Sequence, residues 1–278
     1  MHWTEAITRL RRERRAGILV TLTDVRGHAP RDAGAKLVVA ADATWGSIGG
    51  GNLEETAIAR ARVMLDAMLD QGAATPETLE VSLSDKARTE HGRQCCGGEV
   101  TVLLEPLAVV PAVAIFGLGH VGLELARILA RHDLELHLVD SRRDQLDPDR
   151  LAVLDDAVAG IHVHHAPVPE VELGSVPRGG HVLILTHDHA EDFALCDAAL
   201  RCAHLSSIGL IGSSAKWTRF RQGLRVEGHE EAAIDRIVTP IGQASEGGPV
   251  VTGKDPAAIA LSVATSLLSR VAAERVHR

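Results

Sequence analysis

The sequence predicts an α/β protein in which a mixed α+β first half precedes a second half built on a parallel sheet. Strand patterns cluster in the first part of the chain, strands and helices alternate after Pro111, and a glycine-rich turn joins the first strand of the second half to its helix. The chain has 278 residues, 45% of them apolar, which is room for two cores.

Five arginines between Arg9 and Arg15, interrupted by Glu13, read as the polar face of an opening helix. Residues 17–25 and 35–40 are β-rich, with the turn-forming stretch 27–34 between them, and a third short strand runs from Trp45 to Ile48. Three glycines then precede a helix over 53–69, where Leu53, Ala57, Ala61, Met64, Leu65 and Met68 recur at helical spacing. Residues 78–83 and 99–104 alternate as strands, and the two prolines within 105–111 mark a linker. Domains are therefore expected at 1–108 and 109–278. In the second domain 112–116 is a continuous apolar strand, 121–131 a helix and 134–139 the next strand. Two more buried-type strands, 181–186 and 207–211, each lead into a helical stretch, and the final helix, 256–273, has an apolar face suited to packing back on the first half.

Lys and Arg number 29 against 37 Asp and Glu, a net charge of −8, and the aromatics are three Phe and three Trp. Both facts oppose nucleic-acid binding, which needs a basic face and stacking side chains. No apolar run reaches the ~18 residues of a membrane span, and Met1 to Glu5 carries neither region of a signal peptide, so a cytoplasmic protein is expected. Four cysteines, Cys95, Cys96, Cys196 and Cys202, are too few for a disulfide scaffold and suit reduced thiols.

The turn Gly117-Leu118-Gly119-His120-Val121-Gly122 follows a strand and opens a helix, the arrangement of a Rossmann-like, doubly wound domain. Its glycines allow a tight turn, close approach to a pyrophosphate and close helix packing, and the helix N-terminus attracts negative charge. Asp140 ends the next strand, where a carboxylate hydrogen-bonds a ribose 2′-hydroxyl. It favours NAD over NADP, although Arg142 and Arg143 beside it leave that choice open. A turn kept for packing alone is the competing reading.

A second strand–glycine–helix junction runs from Ser47 through Gly49, Gly50 and Gly51 to Glu54. Consecutive glycines expose backbone N–H groups suited to a phosphate, and the absence of a P-loop lysine argues against nucleotide hydrolysis. A plain turn, with Glu54 and Glu55 complementing the helix dipole, explains the pattern equally well. Gln94-Cys95-Cys96-Gly97-Gly98 sets two thiols beside paired glycines, with Arg93 able to activate a thiolate. Adjacent cysteines do not chelate one metal easily, so the alternatives are a reactive or ligating thiolate and small residues in a turn. His162 and His164 share a strand face that reads as a solvated edge. His187, His189 and Asp192 converge on one reading of their loop, while helix capping accounts for Asp188 on the other.

Gly27-His28-Ala29-Pro30-Arg31, the 46–54 turn, Gln94 to Gly98, the 117–122 turn, Thr186-His187-Asp188, residues 208–213 with Lys216, and Pro240-Ile241-Gly242 occur in one order. As a set, covering nearly the whole chain, they resemble the XdhC/CoxI family. The resemblance implies an N-terminal XdhC-type domain joined to a Rossmann domain, often dimeric. It also implies a molybdenum cofactor (molybdopterin) chaperone rather than an enzyme, one that receives and protects the sulfurated cofactor and inserts it into the large subunit of apo-xanthine dehydrogenase. A cysteine desulfurase is a further implied partner. Carried over by motif, Cys96 contacts the molybdenum centre, with Gln94, Cys95 and Gly97 around it, and the glycines near Gly50 hold the pterin phosphate. Two rivals stand beside this: an NAD-dependent oxidoreductase using the same Rossmann turn, for which His187 with Asp188 is the candidate pair, and a dinucleotide sensor without cargo.

Overall fold

The computed structural model describes residues 1–71, 74–83, 97–242, 253 and 255–277. It divides into two units, Met1–Val109 with Ala272–Arg278, and Val110–Val271.

In the first unit α1 (Trp3–Arg12) buries only Ala6 and Leu10 and turns Arg9, Arg11 and Arg12 to solvent. It is followed by β1 (Gly17–Arg26), β2 (Lys36–Val39), β3 (Thr44–Gly46), α2 (Gly51–Gln71), β4 (Glu77–Ser82) and β5 (Glu99–Leu107). The five strands form one antiparallel sheet in the order β3-β2-β1-β5-β4. Alternation along β1 decides what covers each face. Ile18, Val20 and Leu22 share a core with Leu53, Ala57, Ala61, Met64 and Leu65 of α2, whereas Leu19 packs with Ala6 and Leu10 of α1 on the other side.

Pro106, expected in the linker, lies instead within β5, opposite Ile18. By that point β4 has ended, its last partner being Leu104, so β5 is an edge strand where proline is tolerated. The third strand stops at Gly46 rather than reaching Ile48, because Gly46 at φ +91° turns the chain away.

The second unit contains β6 (Ala112–Phe116), α3 (His120–Leu129), β7 (Glu135–Asp140), α4 (Pro148–Leu151), β8 (Gly160–His165), β9 (His181–Ile184), α5 (His189–Arg201), β10 (Ser207–Leu210), α6 (Ser214–Val226), α7 (Glu231–Ile234), β11 (Ile237–Val238) and most of α8 (Pro256–His277). All six strands are parallel, in the order β11-β10-β9-β6-β7-β8. The chain winds outward from β6 through β7 to β8, then returns to β9 and winds the other way. The switch point therefore lies between β6 and β9, where open α/β sheets open a crevice at the carboxyl ends of their strands. Every residue of β6 is buried: Val113 and Ile115 face the core formed with α3 and α8, and Ala114 and Phe116 face α5 and α6.

Residues 256–274 form a helix long and apolar enough for a membrane span by length and composition, although Arg270 and Glu274 keep its uncharged run below ~18 residues. In this fold Ala260, Val263, Ala264, Leu267 and Val271 of α8 lie in the core with α3 and the parallel sheet, a role in the second unit that the sequence did not assign, while the residues from Ala272 on belong to the first unit. Strand β8, read in sequence only through the shared face of His162 and His164, is rich in histidine, and β11, two residues long, carried no strand signal.

Candidate functional site

Three motifs of the first unit meet at the ends of its strands. A Cβ on Gly98 would overlap the carbonyl oxygens of His28 and Arg26, and one on Gly27 would lie 3.2 Å from the Cα of Gly98. A Cβ on Gly49 would lie 2.8 Å from the Pro30 ring. The 27–31 turn is thus flanked by the glycine turn before α2 and by the Gly97–Gly98 pair, and only glycine permits approaches this close. Gly97, at φ +69°, donates to Leu83 O (3.0 Å), and Leu83 donates to Gly98 O (2.7 Å), which ties the ends of β4 and β5 together. Gln94, Cys95 and Cys96, and with Cys96 the expected contact to molybdenum, lie outside the described residues, as does Arg93.

The glycine turn does not present the free amides a phosphate needs. One Glu54 oxygen accepts from Ser47 Oγ (2.6 Å), Ile48 N (3.1 Å) and Gly50 N (3.0 Å), while Gly49 N donates to Ser47 Oγ (3.1 Å). A side-chain carboxylate already fills the nest, and an incoming phosphate would meet it as a like charge. A pterin phosphate on Gly49 and Gly50 would have to displace the Glu54 carboxylate and the Ser47 hydroxyl that now accept from these amides. Glu54 instead closes the turn and starts α2.

In the second unit the 117–122 turn sits at the switch point. Gly117, at φ +103°, carries a position where a Cβ would lie 2.5 Å from Leu185 O, and a Cβ on Gly122 would overlap Gly117 O. Those two glycines are required for packing. Gly119 has open space where its side chain would be, and it caps α3 without a side-chain hydrogen bond, so the first-turn amides from His120, Val121 and Gly122 sit behind an open face. This division of labour fits a dinucleotide pyrophosphate approaching Gly119 and the helix N-terminus.

Asp140 is engaged by protein groups. Its carboxylate accepts from Leu118 N (2.6 Å), Arg142 N (2.9 Å), Arg142 Nε (3.0 Å) and Arg142 Nη2 (3.0 Å), at 2% exposure. Burial pushes the carboxyl up, but the Arg142 bonds, the Leu118 amide and the guanidinium charge outweigh it and hold the group below the usual aspartate range. Next to it Ser141 Oγ donates to Glu191 (2.8 Å), whose carboxyl is raised by burial.

The loop after β9 is organised by capping. Asp188 accepts from Ala190 N and Glu191 N as the N-cap of α5, and those bonds lower its carboxyl. His187 is exposed, His189 Nδ1 contacts Arg219 (3.2 Å), and Asp192 is fully buried. Those three do not converge, and among the described residues no group of three or more His, Cys, Asp or Glu is disposed to hold a metal ion. Asp192 accepts from Thr186 N (3.1 Å) and Thr186 Oγ1 (2.7 Å) and pairs with Lys216, which also donates to Ile211 O (3.0 Å). Cys196 lies in the same region, its thiol pushed up to about 12 chiefly by burial. His162 and His164 do share a face, where both stack on His137. The contacts of Glu191 with Ser141 and of Arg150 with Leu118 were not visible in sequence, since each joins positions that no local spacing links.

A doubly wound parallel sheet with a glycine turn at its switch point defines a Rossmann domain. Residues 113–267 match the XdhC Rossmann domain and residues 10–74 match the XdhC and CoxI family, and the chain belongs to that family. It is 25% identical over 260 residues to the protein YqeB of Escherichia coli; the match covers 90% of this chain but only 42% of YqeB, so the chain spans under half the length of that relative. Among solved structures it is similar to a xanthine dehydrogenase of Bacillus halodurans (18% identity, 98% of this chain and 96% of that one, TM-score 0.47). It is also similar to the tRNA N6-threonylcarbamoyladenosine dehydratase TcdA of E. coli (15% identity, 59% and 86%, TM-score 0.41).

Proposed function

We propose that the protein is an accessory factor of xanthine dehydrogenase maturation rather than an enzyme. It takes up the molybdenum cofactor as cargo, protects the sulfurated form and inserts it into the large subunit of the apoenzyme. A cysteine desulfurase is its proposed sulfur source, a homodimer its proposed working form and the cytoplasm its proposed compartment. The observation that carries this reading is family membership through both halves of the chain. In the first unit the proposed cargo contact is Cys96, with Gln94 and Cys95 beside it, adjoining in sequence the Gly97–Gly98 pair packed on the 26–28 segment. A thiolate is a soft ligand suited to a molybdenum centre.

The second unit is proposed to bind NAD(P) or a related nucleotide at Gly119 and the α3 N-terminus. We assign that nucleotide a binding role, because hydride transfer needs an acid or base free to act beside the nicotinamide, and Asp188 is committed to capping α5.

The test is delivery. Protein loaded with cofactor and added to apo-xanthine dehydrogenase should restore hydroxylase activity in an amount that scales with the protein supplied and not with time. Steady NAD reduction with a small substrate and no partner present would instead establish the oxidoreductase reading. Cys96→Ala should lower the pterin recovered by oxidation and fluorescence, and Cys95→Ala/Cys96→Ala should lower it further; parent-like recovery from the double variant removes the thiols from the site.

A further inference from the structure

We propose that Arg142 makes the second unit selective for a dinucleotide bearing a phosphate on its adenosine ribose 2′-hydroxyl, an inference that rests on the dinucleotide reading of the 117–122 turn. Asp140 stands where a ribose acceptor belongs, at the carboxyl end of β7 beside the glycine turn. It has nothing left to offer. Each of its oxygens already accepts two hydrogen bonds, Oδ2 from Leu118 N and Arg142 Nη2 and Oδ1 from Arg142 N and Nε, and a carboxylate has about four acceptor sites. A free 2′-hydroxyl would have to break one of these charge-assisted bonds to reach the carboxylate.

What the edge presents instead is the guanidinium. Nε and Nη2 of Arg142 are fixed on Asp140, which leaves Nη1 without a partner among the described residues on a side chain 29% exposed. Asp140 thereby acts as a positioning residue, aiming Arg142 without neutralising its outer edge. Two further cations stand close in the chain. Arg143 is exposed next to Arg142. Arg150 Nη2 donates to Leu118 O (2.8 Å), so the Leu118 peptide is gripped through its N–H by Asp140 and through its C=O by Arg150, while Arg150 Nε is buried with no partner. Asp144 and Glu191 also face Arg142 and oppose an anion there. Glu191 is hydrogen-bonded to Ser141 and partly buried, and burial raises its carboxyl above the ordinary value. A phosphate on Nη1 supplies the charge-assisted contact for which this arginine is oriented, and a hydroxyl supplies none.

The full chain is titrated by calorimetry with NADP⁺, NAD⁺, adenosine 2′,5′-bisphosphate and AMP. NADP⁺ should bind roughly 10- to 100-fold more tightly than NAD⁺, the worth of one such contact. The 2′,5′-bisphosphate should compete with it where AMP does not, and the NADP⁺ affinity should fall more steeply with salt. Arg142→Ala should erase the difference between the two dinucleotides, and Arg142→Lys should retain part of it. NAD⁺ binding as tightly as NADP⁺ to the parent protein would overturn the selectivity while leaving the dinucleotide reading intact. No heat with any nucleotide would overturn both, and since this comparison uses the parent, it stands even if the Arg142 variants fold poorly.

Discussion

Gly117, Gly119 and Gly122 are alike in sequence and do different work. A methyl at Gly122 runs into Gly117 O, backbone that cannot move aside, so Gly122→Ala should cost about 2–3 kcal/mol, read as a fall in the urea midpoint. Gly119→Val has room and should leave that midpoint nearly unchanged while abolishing nucleotide heat, because the branched side chain fills the space offered to the pyrophosphate. Asp140 makes a pH prediction. Its folded carboxyl is held below the unfolded value, so the stability it supplies is full above about pH 4 to 5 and is lost as pH falls through the lower folded value. Asp140→Asn should therefore destabilise the protein clearly at pH 7 and progressively less as the pH falls below about 4, measured as the difference in unfolding free energy across that range. At this scale the sequence disclosed which residues were unusual but not whom they touch. Asp140 was legible as an acid at a strand end, yet its saturation by Leu118 and Arg142 depends on side-chain directions that spacing does not encode.

Among the elements, α5 and α6 are joined to the sheet by the Asp192–Lys216 pair, which also fixes Thr186 at the end of β9 and Ile211 beyond β10. Asp192 is fully buried, so Lys216→Met leaves a buried carboxylate without its cation and should cost about 3–5 kcal/mol. The double variant Asp192→Asn/Lys216→Met should recover part of that loss in thermal melts. Strands such as β6 and β9 were readable because continuous Val, Ile and Leu runs between turns have few other uses in a parallel sheet. β8 was legible only as a histidine-bearing solvated edge, since His162, His164 and His165 mask its bounds, and Pro106 appeared to end β5 because a single sequence does not say where the neighbouring β4 begins.

For the molecule as a whole, the division into two units predicts where a ligand is felt. Hydrogen exchange with saturating NADP⁺ should slow in α3 and in the Asp140–Arg150 region and stay unchanged in β1, β2 and β5; protection spread over the first-unit strands would contradict a nucleotide site at the 117–122 turn. The two-part organisation was legible from the change of pattern near Pro111. The division of α8 was not, because an apolar helix face fits either core and only tertiary packing shows that Ala260, Val263 and Leu267 join Leu125 and Leu136 while the residues from Ala272 on belong to the first unit.

The paired bonds between Leu83 and the Gly97–Gly98 backbone give the first unit an engineering property. They join the two ends of the intervening thirteen-residue stretch, 84–96, whatever its own length. The adjoining Ser82–Glu99 register pair is thus a place where a cross-strand reporter can be set with the sheet intact, close in the chain to the thiols whose cargo it would report.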